Sequence, residues 1–289
     1  MTPAVSVIVP CHNGGRFLDG LVASLRQQTF QDFEIVIVNN GSTEQDTLDT
    51  LVRLESVARV VHQENRYLPG ARNRGFAEAR ADIVLPLDCD DRLEPDFLAE
   101  TLSAFRAAPE DVGFVFTHMR LTGSVEGILA THCNRFDQLF LNHMAYCLLT
   151  RKSAWRKIGG YDETMRDGTE DWEFNIRLIK AGFGWVEVPK PLFLYTVRAD
   201  GMLLSKSARM HATIWRRIRD RNPELYRLPE LLRIWRESRP SFFSTLRGTA
   251  LLTLASVLPE SWCNRLFFRL NMYMRRRRIA QGELHVMEA

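Results

Sequence analysis

Apolar and polar positions follow two rhythms through the first two thirds of the chain. Short, β-branched apolar runs at 5–9, 33–38, 57–61 and 83–87 read as buried strands. Between them, apolar residues recur every three to four positions: Phe17, Leu18, Leu21, Val22 and Leu25, then Leu48, Leu51, Val52 and Leu54, then a helix over 69–80. That spacing puts them on one helix face. Strands alternating with helices predict an α/β fold with a mixed, mostly parallel sheet flanked by helices. The turn His12-Asn13-Gly14-Gly15 opens the first helix, and Ser42 or Thr43 can cap the second.

After a helix over 97–107 the pattern loosens. It predicts a strand at 114–119, strand and turn over 120–134, a strand at 145–150 and a short helix at 153–158. Gly159-Gly160 forces a turn. Thr169 opens a helix with Trp172, Ile176 and Ile179 on one face, and strands at 185–188 and 192–197 follow. From Leu203 the pattern is helical, with stripes at Met210, Ile214 and Ile218 and at Leu266, Phe267, Leu270 and Met274. The chain therefore divides into an α/β part, 1–202, and a helical extension, 203–289.

The 83–87 run stops at three carboxylates, Asp88, Asp90 and Asp91, and Pro95 fits the first turn of a new helix. Ligands of open α/β sheets bind at such strand ends. Clustered acids are unfavourable without a cation, and a divalent ion with oxygen ligands, itself holding a diphosphate, answers both needs. The plainer alternative is acids that cap the helix and face water. The D-x-D-x-T pattern of aspartyl phosphatases is disfavoured, because its fifth position here is Arg92.

Hydrophobic content of 45% and charged content of 25% over 289 residues are those of an ordinary globular protein. Five scattered cysteines without a C-x-x-C pair point to a reducing compartment and no disulfide or zinc framework. The N-terminal apolar run is short and lacks a basic flank, and no stretch approaches the ~20 apolar residues of a membrane span. A cytoplasmic chain is the expectation. The net charge of +3 hides a split: residues 203–289 carry 17 Lys and Arg against 7 Asp and Glu, the rest 21 against 28. From Phe242 to Arg278, Phe242, Phe243, Leu251, Leu252, Trp262, Phe267 and Phe268 mix with arginines. That suits a helix lying on the cytoplasmic face of an anionic membrane, the alternative being packed helices with solvated arginines. No nucleic-acid module is visible.

The ordered set SVIVPCHN, VNNGSTEQ, GARNRG, LPLDCDD, IGGYDE and GTEDWEF resembles family 2 glycosyltransferases of the GT-A fold, from about Val5 to about Met202. The resemblance implies inverting transfer from a nucleotide-diphosphate sugar to a glycan or lipid-linked acceptor, with Mn²⁺ or Mg²⁺. It assigns the metal to Asp90 with Asp88 beside it, and the general base to Asp171. Donor contacts fall on Pro10, His12, Asn13, Asn39, Asn40, Arg72, Asn73, Asp88 and Arg198, and the acceptor side on Gly160, Glu170 and Trp172. Each has a plainer reading: an acidic first turn for Glu170 and Asp171, a solvated helix face for Arg72, core for Trp172. Two departures stand out. Asn39-Asn40 replaces the family's usual Asp-Asp, and Arg198 stands where many relatives have a metal-assisting His. A sugar-phosphate nucleotidyltransferase is disfavoured, since PCHNGGRFLDG has no Lys for a triphosphate. A catalytically silent nucleotide-sugar-binding or scaffold protein is the other alternative.

Overall fold

The computed structural model describes residues 2–198, 209–280 and 284–286. The elements run β1 (Val5–Cys11), α1 (Gly15–Arg26), β2 (Phe33–Asn40), α2 (Gln45–Leu54), β3 (Arg59–Gln63), α3 (Tyr67–Glu78), β4 (Ile83–Pro86), β5 (Arg92–Leu93) and α4 (Phe97–Ala107). They continue with β6 (Val112–Gly123), β7 (Val125–Leu129), α5 (Arg135–Gln138), β8 (Leu149–Arg151), α6 (Lys152–Lys157), α7 (Glu170–Lys180) and β9 (Gly184–Val197). The C-terminal part holds α8 (His211–Arg221), α9 (Leu228–Ser238), α10 (Phe242–Val257), α11 (Glu260–Ala280) and β10 (Leu284–Val286).

One mixed sheet runs in the order β10-β7-β6-β8-β4-β1-β2-β3, with β9 alongside β6 and β5. β4, β1, β2 and β3 are parallel neighbours, and β9 is parallel to β6. β8 and β7 run antiparallel to β6. Both faces of the central strands are buried, as their unbroken apolar runs require. Val5, Val7 and Val9 face a core under α1, α2 and α4, while Ile8 faces another under α3, α6 and α7. Gly75 lets α3 close on the sheet: a Cβ there would lie 2.8 Å from Ile8.

Several local expectations change. Glu44, not Ser42 or Thr43, occupies the N-cap of α2, because both hydroxyls accept hydrogen bonds from Asn13 instead. Val52 is 67% exposed and not part of the core face. Pro95 precedes the N-cap Asp96, and β5 intervenes between the acids and α4. The expected strand at 145–150 shortens to β8. The two strands expected at 185–188 and 192–197 are one, β9, whose register on β6 shifts between Thr117 and Met119.

The C-terminal helices share a core with the α/β part. Trp172 and Ile176 of α7 and Phe136 of α5 pack with Ile214, Trp215 and Ile218 of α8, Ile234 of α9, Leu251 of α10 and Phe267 of α11. Leu251 and Phe267, read from sequence as membrane-facing, are therefore core. Phe242, Phe243 and Trp262 are exposed at 75%, 79% and 61%. Side chains of Arg275 to Arg278 lie outside the described residues.

Trp215 is fully buried and its Nε1 donates to the Leu139 carbonyl at 3.0 Å. Trp215→Ala is expected to cost about 3–5 kcal/mol. Urea unfolding followed by circular dichroism should show one transition at a lower midpoint. An unchanged midpoint would mean that this core does not support the fold.

Candidate active site

β1, β2 and β4 end on the same edge of the sheet. Leu87 N–H still donates to the Ile8 carbonyl, at 2.9 Å, and the chain then leaves the sheet at Asp88. It turns back as β5, which pairs antiparallel with β9. Two adjoining clefts open at this edge. One, of roughly 210 Å³, is lined by Asp88, Asp90, Asp91, Tyr195, Thr196 and Arg198 together with Pro10 and Leu68. The other, of roughly 360 Å³, shares Pro10 and Leu68 and adds His12, Asn40, Tyr67 and Glu170. A larger cleft, of roughly 620 Å³, lies at the opposite edge, around Phe33, Arg59 and Arg80, far from the acids.

Arg72 is the pivot. It is 1% exposed, which removes the solvated-face reading. Its Nη2 donates to both Asp88 carboxylate oxygens, at 2.9 and 3.0 Å, and its Nη1 donates to Glu170 Oε1 at 2.6 Å. The guanidinium lies 4.5 Å from the Tyr146 ring and 5.6 Å from the Tyr161 ring. Tyr161 is itself stacked on Phe174 at 4.0 Å. Burial works against the Arg72 charge, but Asp88 and Glu170 outweigh it and hold the group well above its usual range. Burial pushes Glu170 up to about 7 against the pull of Arg72. The 2.6 Å contact to a permanently charged guanidinium favours the ionised carboxylate at neutral pH. Arg72, expected as a donor contact, joins the two acidic motifs.

The three acids after β4 have separate environments. Asp91 points inward, accepting from Tyr146 Oη at 2.5 Å and from Thr196 N–H at 2.7 Å. Burial, then Asp88 and Asp90, push its carboxyl well above the usual range. It is a structural acid and not part of an open cluster. Asp90 stays at the cleft, 3.6 Å from Arg198 Nη1. Burial first, then Asp88, raise its pKa, with Arg198 opposing. Oxygen donors crowded so that ionisation is penalised fit a divalent cation. The Asp90 carboxylate is the more open of the two, since both Asp88 oxygens already accept from Arg72.

Glu170 and Asp171 begin α7 behind a strained N-cap. Thr169 has φ of 65°, and left-handed backbone recurs at Tyr67 (58°), which lines the second cleft, and at Asn13 (53°), next to the cleft residue His12. Such residues cost of order 1–3 kcal/mol each and gather at functional sites. Asp171 is partly exposed and accepts from Asn142 Nδ2 at 2.9 Å. Burial raises its pKa, against the pull of Arg72. Trp172, expected on the acceptor side, is core: it stacks on His211 and its Nε1 donates to the Gln138 carbonyl at 2.6 Å.

Other expected donor contacts are spent internally. Asn39 Nδ2 pairs with His62 Nδ1, and its Oδ1 accepts from Ser42 N–H. Asn40 Nδ2 donates to Asn65 and to the Tyr67 carbonyl, while its Oδ1 accepts from Gln63 and from Arg66 N–H. Asn73 Oδ1 accepts from Trp155 Nε1 and Tyr161 N–H, and its Nδ2 donates to the Tyr161 carbonyl and Glu163. Gly160, at φ of 77°, makes room for it: a Cβ there would lie 2.6 Å from Asn73 Oδ1. Asn73 and Gly160 are thus positioning residues for the 160–163 turn. Asn13 likewise fixes residues 42–44, its Oδ1 accepting from Thr43 and Glu44 N–H. Pro10 and His12 do line the clefts. Sequence reasoning missed Tyr146, Asn142 and Thr196. Tyr146 sits in an apolar run and Asn142 in a short polar loop, so neither carries a motif.

The Glycosyl transferase family 2 model matches residues 6–163, more than half of the chain, and the chain belongs to this family. The glycosyltransferase GlyG of Streptococcus pneumoniae is 33% identical over 105 residues, 35% of this chain and 35% of that protein. The aligned stretch spans about a third of the length of such curated relatives. Among solved structures, TarS 1-349 of S. aureus in complex with UDP-GlcNAc aligns with a TM-score of 0.61 at 17% identity, covering 99% of this chain and 97% of that one. The mannosyltransferase PcManGT from Pyrobaculum calidifontis, in complex with GDP-Man and Mn²⁺, also gives 0.61 at 17%, covering 98% and 84%. The fold is GT-A.

Arg72→Leu should destabilise the protein by about 3–5 kcal/mol, since Glu170 stays buried and Asp88 half-buried without their cation. Arg72→Lys should recover only part, because one ammonium cannot span both acids. Urea midpoints for the three proteins test this, and a lysine variant as stable as the native chain would remove the bridging role.

Proposed function

We propose that the chain transfers a sugar, with inversion, from a nucleoside diphosphate sugar to an acceptor hydroxyl during assembly of a surface glycan or glycolipid. The supporting observation is the Arg72 bridge, which sets the Asp88–Asp90 edge beside the Glu170–Asp171 pair across adjoining clefts. Asp90, with Asp88 beside it, would hold Mn²⁺ or Mg²⁺. A divalent ion there supplies Lewis-acid stabilisation of the departing diphosphate. Arg198, 3.6 Å from Asp90, would meet phosphate oxygens. Asp171, oriented by Asn142, takes the acceptor proton as the acceptor oxygen bonds to the anomeric carbon and the bond to the diphosphate breaks. One displacement by an external oxygen inverts that carbon.

Asp90→Ala should melt like the native chain but lose Mn²⁺-dependent binding of a nucleoside diphosphate in calorimetry. Asp171→Asn should keep donor affinity and lose transfer by roughly 10²–10⁴. Because the base works ionised and burial raises its pKa, native turnover should fall with acidification at a pH above the ordinary aspartate range. That limb should vanish from the residual activity of Asp171→Asn. Undiminished transfer by both variants sinks the residue assignment, and donor binding without transfer or donor hydrolysis by the native chain favours a silent binding protein.

Among the described residues, no helix is long and apolar enough to cross a membrane. Exposed Leu228, Leu232, Phe242, Phe243 and Leu246 on α9 and α10, in a basic extension, support a peripheral contact with anionic lipid, where a lipid-linked acceptor would be met. Vesicle sedimentation should show binding to anionic vesicles that weakens with salt and falls in Phe242→Glu/Phe243→Glu, with transfer to a soluble acceptor retained. Equal, negligible pelleting with anionic and neutral lipid would end the membrane reading.

A further inference from the structure

Away from the acidic edge, three side chains converge with the chemistry of a transition-metal site. His118 on β6, Glu187 on β9 and His132 in the connection from β7 to α5 bring their ligand atoms within 4.8 Å of one another. His118 Nε2 lies 2.9 Å from Glu187 Oε1, and His132 Nδ1 lies 3.3 Å from the same oxygen. The rings meet edge to face, with centroids 5.9 Å apart. Thr131 Oγ1 donates to the Thr117 carbonyl at 2.8 Å and holds the connection against β6.

We propose that His118, His132 and Glu187 form a second metal site, for Zn²⁺ or a similar first-row ion, independent of the glycosyl-transfer reading. Two imidazoles and one carboxylate are a common zinc donor set, with water at the fourth position. Metal–ligand bonds of about 2.0–2.1 Å in a tetrahedron put ligand atoms about 3.3 Å apart. Two of the three separations already lie close to that. The third closes through His132, which is 68% exposed and has room to turn. The same exposure opens the site to ions from solvent. The donor set differs from the all-carboxylate edge at Asp88 and Asp90: imidazole nitrogen favours zinc, carboxylate oxygen magnesium and manganese.

The position gives the ion a structural consequence. It would tie β6 and β9 to the connection leading into α5. Gln138, at the end of α5, accepts from Trp172 through its carbonyl, and Asn142, four residues on, holds Asp171. The ion would thus anchor the segment that orients the pair beginning α7.

The test uses tag-free full-length protein, stripped with chelator and titrated with Zn²⁺ alone by calorimetry. Co²⁺ serves as the spectroscopic probe. The native chain and Asp90→Asn should each take up about one equivalent and melt higher with metal bound. The cobalt form should show visible bands of low-coordinate nitrogen and oxygen ligation. His132→Ala and Glu187→Gln should bind roughly 10–100-fold more weakly or not at all, since even outer partners of metal ligands are worth that much. Glu187→Gln preserves shape, so a folding defect in one variant does not decide the result. Zinc binding that survives both substitutions, that disappears in Asp90→Asn, or that is missing from the native chain overturns the proposal.

Discussion

A guanidinium buried to 1% exposure has to be neutralised where it stands, and that requirement arranges this protein. Arg72 reaches Asp88 after β4 with one nitrogen and Glu170 at the start of α7 with another. These acids lie 82 residues apart in sequence, yet their separation in space is fixed by the width of one planar fork. A buried ion pair often adds little net stability over a well-packed apolar replacement, because desolvation consumes the attraction. Its value here is positional. Neither acidic segment can drift without stranding a charge, and the rings of Tyr146 and Tyr161 leave the guanidinium little room.

The same economy governs the amides around the clefts. Asn39, Asn40 and Asn73 resemble ligand-facing residues by position, but their donors and acceptors are consumed by neighbouring backbone and side chains. A buried amide left unpaired would cost of order 1–3 kcal/mol, so loops that must stay irregular are built around such groups. Left-handed backbone at Asn13, Tyr67 and Thr169 is the conformational cost of these loops, and the amide networks help to offset it. The clefts are consequently bounded by fixed walls, with Asp90 and His12 among the polar groups left accessible in them.

The C-terminal helices belong to this architecture as much as to any surface role. Trp172 begins a core that continues through Trp215, Leu251 and Phe267. Through that core the first turn of α7, and with it Asp171, is supported by residues that follow the α/β part in sequence. Exposed aromatic residues remain on the other side of α10, so one helix serves packing and surface at once.

The sequence by itself determined the rhythm of the fold. The runs at 5–9, 33–38 and 83–87 predicted parallel buried strands, and the abrupt stop at Asp88 marked the edge at which the clefts open, because apolar periodicity and clustered charge are local properties. Local pattern also placed Glu170 and Asp171 at the start of a helix. Tertiary structure decided what local pattern cannot carry: which acids face water, which amides are already spent, and which aromatic residues are core. Asp90 and Asp91 are neighbours of identical chemistry, and only the arrival of Tyr146 and Thr196 turns one of them inward. A solvated helix face was one local reading of Arg72, and only the meeting with Glu170 removes it. His118, His132 and Glu187 carry no spacing signature, because their meeting is set by strand register and by a loop folded over β6. Those outcomes depend on long-range packing, which fixes side-chain environments that no single window of sequence contains.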